Sequence, residues 1–132
     1  MDGAVADGGR WNNPGTPLLY CSEHLSLAAL EVLVHLSPDY RHIRFLALEL
    51  VIPDDAPVTK WDVQDLPTAW QTMVGNQECQ SRGSDWASSG AALVPSLPSV
   101  IVSRARNILL NGLHPAFHRV QVLSHEPFLL DA

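Results

Sequence analysis

Apolar and polar positions along the chain separate into a few distinct runs. The strongest is 25–36, where Leu25, Leu27, Ala28, Ala29, Leu30, Val32, Leu33, Val34 and Leu36 leave almost no polar face. A helix that is apolar all round reads as centrally buried. It should stop before Ser37-Pro38, because the residue preceding a proline disfavours the helical region. Ser22 and Ser26 are its candidate caps. Residues 16–22 read as a strand entered from the turn Asn13-Pro14-Gly15, where proline presets φ and glycine tolerates a positive value. Residues 43–52 read as a second strand, apolar on both faces and closed by Pro53. A short helix is expected within 61–74, with Pro67 in its first turn and Gly75 ending it. The polar, Ser- and Gly-rich stretch 76–90 reads as a long loop or a pair of short turns, and long loops in small domains are often functional. Short strands or elements are expected at 99–102, 107–111, 118–123 and 127–130. Short strands around one buried helix make an α+β domain with a small mixed sheet.

Composition narrows this picture. A chain of 132 residues suits one domain and can bury a real core without disulfides or metals. With 46% apolar and 17% charged residues it is globular and not disordered. Residues 1–9 are small, acidic and Gly-rich, and should be flexible. The formal charge of −6 argues against direct nucleic-acid binding, since no basic stripe exists to displace counterions. Cys21, on a strand, and Cys79, in a polar loop, read as reduced thiols of a cytoplasmic protein. No apolar run reaches the ~18 residues that span a membrane, and the start has neither the basic nor the apolar region of a secretion signal.

Three polar residues stand out against this background. Arg10 follows Gly8-Gly9 and precedes Trp11. A planar guanidinium in a glycine-rich turn suits a phosphate, although a structural ion pair is the plainer reading. Tyr20 lies in an apolar strand, either as a core residue with a tethered hydroxyl or as a ring against a flat heterocycle. Glu31 interrupts the apolar helix and shares one face with His24, Ala28 and His35. It is either paired with His35 or Arg10, or a catalytic carboxylate facing a pocket. A metal pair of Glu31 and His35 lacks a third ligand. His114 and His118 are separated by Pro115, which disfavours a metal-binding helix. Ser99 starts a strand after Pro98, with Ser96 as its register alternative; no hydrolase elbow, phosphate loop or dinucleotide fingerprint surrounds either.

Taken together, these pieces resemble the RES domain family, named for an Arg, a Glu and a Ser in that order. The matching stretches are Gly8-Gly9-Arg10-Trp11-Asn12 with Pro14-Gly15, Tyr20-Cys21-Ser22, and Leu27-Ala28-Ala29-Leu30-Glu31-Val32-Leu33-Val34-His35. Leu66-Pro67 with Trp70, Gly83 with Trp86, Pro98-Ser99 leading to Asn107 and Asn111, and Glu126-Pro127-Phe128 extend the likeness over nearly the whole chain. The resemblance implies one RES-like domain over 1–132 with a fold similar to that of ADP-ribosyltransferases. It implies the toxin of a bacterial toxin–antitoxin pair that consumes NAD+ as substrate, with no other cofactor, and whose partner is an Xre-type helix-turn-helix antitoxin. Glycohydrolase, phosphorylase and protein ADP-ribosyltransferase activities stay open, as does an inactive module that only binds its antitoxin. Arg10, Tyr20, Glu31 and Ser99 take the catalytic positions, with Arg10, Trp11, Tyr20, Ser99 and Asn107 binding substrate. Family members usually carry an extra strand before the Gly-Gly-Arg segment. Nine residues precede Arg10 here, which a misplaced start, a truncated piece or a domain without that strand would each explain.

Overall fold

Gly15 takes a φ of +95°, and the Thr16 N–H reaches the Asn13 carbonyl at 3.2 Å. This is the turn expected from Asn-Pro-Gly, and it feeds the first strand. The computed structural model describes residues 9–35, 44–72 and 76–129. Along the chain come β1 (Leu18–Ser22), α1 (Leu25–His35), β2 (Arg44–Val51), β3 (Val58–Lys60), α2 (Asn76–Ser89), β4 (Val94–Pro98), β5 (Arg106–Asn111) and β6 (Gln121–Leu129). Short 3-10 turns occupy Val63–Asp65 and Pro115–Arg119. The main sheet has the order β1-β5-β4-β3, with β3 parallel to β4 and the other pairs antiparallel. β2 and β6 form a separate antiparallel ribbon.

Alternation along the strands gives the sheet two apolar faces. One packs Leu18, Leu97 and Leu109 against Trp11, Trp70 and the Cys79 and Ala87 side of α2. The other packs Leu93, Val94 and Leu110 with Leu19, Cys21 and Ile108, covered by Leu50 and Ile52 and by Phe117 and Val120. Helices and strands thus make the small mixed α+β fold that the apolar pattern implies.

Four details differ from the sequence expectation. The stretch 76–90 is not a loop but the helix α2, and Cys79 is fully buried within it. Its buried positions are small (Cys79, Gly83, Ser84, Ala87), so it lacks the stripe of large apolar residues that announces a helix. Conversely, α1 is not enclosed: Leu27 is buried, while Leu25 is 47% and Val34 52% exposed. It lies beside β1, the edge strand of the sheet, so one side of an all-apolar helix is left uncovered. The strand expected at 43–52 forms, but Leu46 and Leu48 are exposed because a two-stranded ribbon offers no second layer on their side. The strand expected at 99–102 lies earlier, at β4; its Pro95 stands opposite Thr59 of the three-residue β3, and its Pro98 ends the strand opposite Arg106 of β5.

Smaller shifts follow the same logic. The helix expected within 61–74 reduces to the 3-10 turn Val63–Asp65 followed by turns through Trp70, and Gly75 lies outside the described residues. The pieces expected at 118–123 and 127–130 join into β6, with a bulge at Leu123 where the register shifts opposite Glu49 and Leu50 of β2. Residues 1–8, the end of the apolar run at Leu36, and Ser37-Pro38 also lie outside the described residues.

Candidate active site

The helical register of α1 turns Glu31 toward the end of β4. There Ser99 is fully buried, and its hydroxyl donates to Glu31 Oε1 at 2.8 Å. The same hydroxyl oxygen accepts from the N–H groups of Ile101 and Val102 at 3.1 and 3.3 Å. Its proton is therefore directed at the carboxylate by two backbone donors. Ser96, the register alternative, has another partner: its Oγ accepts from Arg106 Nε at 3.1 Å. Of the two serines, Ser99 is the one beside Glu31.

Tyr20 reaches back from β1 to the Arg10 loop. Its hydroxyl accepts from the Trp11 N–H at 3.0 Å and donates to Asn12 Oδ1. Although 38% of the residue stays exposed, burial pushes the phenol up to about 12, against smaller opposing effects from the Trp11 N–H and the Arg10 charge. At neutral pH it is a neutral donor. Arg10 is half-buried and donates from Nη1 to the Trp70 carbonyl at 2.7 Å. Neither Arg10 nor Trp11 lines the cleft described below. The Trp11 ring is 3% exposed and stands 6.0 Å from Trp61 within the core, so it anchors the loop from beneath.

Between β1, α1 and β5 lies a cleft of about 470 Å³, lined by Tyr20, Cys21, Ser22, Ala28, Glu31, Val32 and Asn107. Tyr20, Glu31 and Asn107 from the sequence reading meet here. Ser99 stands behind Glu31. Cys21 points its side chain to the opposite face of the sheet, where burial pushes its thiol up to about 11. Glu31 bonds Ser99 and forms no ion pair with Arg10; the His35 side chain lies outside the described atoms. His24 lies close to Glu23 on the surface. The His114 ring nitrogen accepts from the Ala116 N–H as a cap. Among the described residues no three His, Cys, Asp or Glu side chains gather as a metal site would need.

Several supporting contacts carried no sequence signal. Ser22 donates to Asn107 Oδ1 at 3.2 Å. Arg106, which the pattern of apolar residues leaves anonymous, bonds Ser96, Asp62 and the Trp61 and Ser96 carbonyls, tying β3, β4 and β5 together. On α2, Gln80 donates to the Gly9 carbonyl at 2.8 Å and Ser84 accepts from the Asn13 N–H at 2.8 Å. One face of α2 thereby grips the loop that carries Arg10. The outcome is an apolar-walled cleft with one carboxylate, one neutral phenol and a neutral amide, and a guanidinium close behind the phenol. Such a site can place negative charge beside a developing cation.

Comparison with known proteins shows the family. Residues 1–131 match the RES domain. A relative named Toxin Res from Photorhabdus laumondii is 35% identical, covering 89% of this chain and 74% of its own length. A relative named Prs ADP-ribosylating toxin from Sphingobium sp. is 31% identical over 98% of this chain and 81% of its own. The crystal structure of the M. tuberculosis MbcT–MbcA toxin–antitoxin complex contains a chain with the same fold, at a TM-score of 0.76 and 15% identity, matching 97% of this chain and 75% of that one. No helix among the described residues is long and apolar enough to cross a membrane. With a match running almost end to end and relatives above 30% identity over most of its length, the chain belongs to the RES domain family.

Proposed function

We propose that this chain is the toxin of a toxin–antitoxin pair and that it breaks the nicotinamide–ribose bond of NAD+. The observation that carries the chemistry is the Ser99–Glu31 hydrogen bond at the wall of the cleft. A buried serine that directs its only proton at a carboxylate fixes where that carboxylate's charge sits. In NAD+ the leaving group is a cationic pyridinium that departs as neutral nicotinamide, so no strong general acid is needed. The bond breaks toward an oxocarbenium-like ribose, as in glycoside cleavage. Glu31 would hold a ribose hydroxyl and stabilise that cation, with Ser99 fixing the carboxylate. Tyr20 would pack against the nicotinamide or its ribose, and Arg10 would approach the pyrophosphate once its loop engages substrate.

Water as acceptor gives a glycohydrolase and phosphate gives a phosphorylase. The name of the Sphingobium relative favours a second reading, transfer of ADP-ribose to a protein side chain. The toxin role draws on the names of the relatives, and the antitoxin partner on the complex in which the similar fold was solved. An Xre-type helix-turn-helix antitoxin suits the −6 charge, since the partner would then supply the DNA binding. The exposed apolar side chains Leu25, Val34, Leu46 and Leu48 on α1 and the ribbon suit a surface that is covered in the pair.

The test is nicotinamide release from NAD+ by the purified chain, beside a Glu31→Gln variant shown to be folded by circular dichroism. Release by the parent alone supports the reading, and free against protein-bound ADP-ribose then separates hydrolysis from transfer. A folded parent that releases no nicotinamide sinks the enzymatic reading and leaves an inactive module that binds an antitoxin.

A further inference from the structure

Besides Tyr20 and Glu31, the cleft holds one more polar pair, Ser22 at the end of β1 and Asn107 near the start of β5. The two stand directly opposite in the antiparallel register. Cross-strand partners share a face, and Ser22 shares it with Tyr20 two residues earlier. Ser22 Oγ donates to Asn107 Oδ1 at 3.2 Å. That one bond orients both groups. The amide oxygen is used on its neighbour, so the Nδ2 hydrogens are left without a protein partner among the described residues. The hydroxyl proton is used as well, so what Ser22 has left to offer is an oxygen lone pair. Both residues are half-buried. Side by side, the cleft wall thus presents one neutral donor and one neutral acceptor.

A carboxamide is complementary to this arrangement: its carbonyl oxygen accepts from Asn107 Nδ2 while its N–H donates to Ser22 Oγ. A carboxylate in the same place would satisfy Nδ2 but would set its second oxygen against the Ser22 lone pair, in a cleft that already holds the Glu31 carboxylate. Resting on the NAD+ reading above, we propose that Ser22 and Asn107 form the carboxamide subsite of the cleft. Asn107 contacts the nicotinamide carbonyl, and Ser22 both receives the amide N–H and holds Asn107 in its donor-out orientation. The pair makes the site selective for the amide over the acid form of the dinucleotide.

The experiment is calorimetric titration of NAD+ and of its nicotinic-acid counterpart into the Glu31→Gln protein, in which cleavage is suppressed. The expected result is tighter binding of NAD+ by about tenfold or more. Adding Ser22→Ala should weaken NAD+ by roughly 3–10-fold, the worth of one neutral hydrogen bond, with the acid form unaffected or improved, whereas Asn107→Ala should weaken both forms, since each has an oxygen that accepts from Nδ2. Ser22→Thr, which keeps the hydroxyl, should keep the preference. If Asn107→Ala does not fold, the Ser22 variants carry the same comparison with β5 untouched. Tight NAD+ binding with an unchanged amide-to-acid ratio in every variant overturns the subsite alone and leaves the proposed function standing. Binding of neither dinucleotide, together with no nicotinamide release by the parent, overturns the proposed function and the subsite with it.

Discussion

Two serines three positions apart make the sharpest contrast at the scale of single residues. Ser99 donates to Glu31, and Ser96 accepts from Arg106. Ser99→Ala should leave the Glu31 side chain free to turn, and should lower turnover by roughly 10–100-fold, less than the roughly 10²–10⁴-fold expected for Glu31→Gln. Ser96→Ala should leave turnover alone and lower stability by about 1 kcal/mol through the loss of one bond to Arg106. Nicotinamide release and urea midpoints on both variants check the pair, and an effect of Ser96→Ala on turnover as large as that of Ser99→Ala would contradict it. At this scale the sequence was informative about identity and silent about partnership. A glutamate on an apolar helix stands out by itself. That it accepts from a serine 68 positions away depends on how the end of β4 meets α1. No local pattern encodes that meeting.

Among elements, α2 shows how a helix hides from its sequence. Its inward face is built of Cys79, Gln80, Gly83, Ser84 and Ala87, spaced as a helix requires but too small and polar to register as apolar periodicity. The small side chains serve close approach. A Cβ on Gly83 would lie 1.7 Å from the Trp11 carbonyl oxygen, a backbone atom of the Arg10 loop. Gly83→Ala therefore cannot be absorbed by rotating a side chain; either α2 or the loop must move. Overpacking of this kind costs roughly 1–3 kcal/mol, and here it falls on the segment that carries Arg10. We expect a lower urea midpoint with an unchanged denaturant slope, and a loss of NAD+ affinity larger than the stability loss alone explains. Gly83→Ala with parental midpoint and affinity would show that the helix and loop are not in the contact described. By contrast, the turn at Gly15 and the strand after it were legible, because proline and a positive-φ glycine act within four residues.

For the whole molecule, the α+β class followed from short strands around an apolar helix, whereas the sheet order β1-β5-β4-β3 brings together strands nearly ninety residues apart. Chain topology of that kind is set by which faces can be buried together, and one consequence is measurable. β1 carries Tyr20 toward one core and Cys21 toward the other. Burial raises the phenol to about 12 and the thiol to about 11, from ordinary values of 10.0 and 9.0. Both groups hold their protons more tightly folded than unfolded, so their contribution to stability is fully present below about pH 9. It is lost progressively as pH rises, first through the Cys21 range and then through the Tyr20 range. The chain already carries a formal charge of −6, and each further deprotonation adds repulsion in the same direction. Thermal midpoints should therefore be insensitive to these groups near neutrality and fall steadily above pH 9. Cys21→Ala should flatten the first part of that fall. Tyr20→Phe should flatten the later part while lowering the midpoint at pH 7, because it removes the bonds to Trp11 and Asn12. Tyrosinate absorbance separates the two tyrosines of the chain, Tyr20 and Tyr40, by the difference between parent and Tyr20→Phe. If the missing transition lies near 10, in the ordinary phenol range, the hydroxyl is not enclosed by the Arg10 loop, and the link from that loop through Tyr20 to the cleft fails with it.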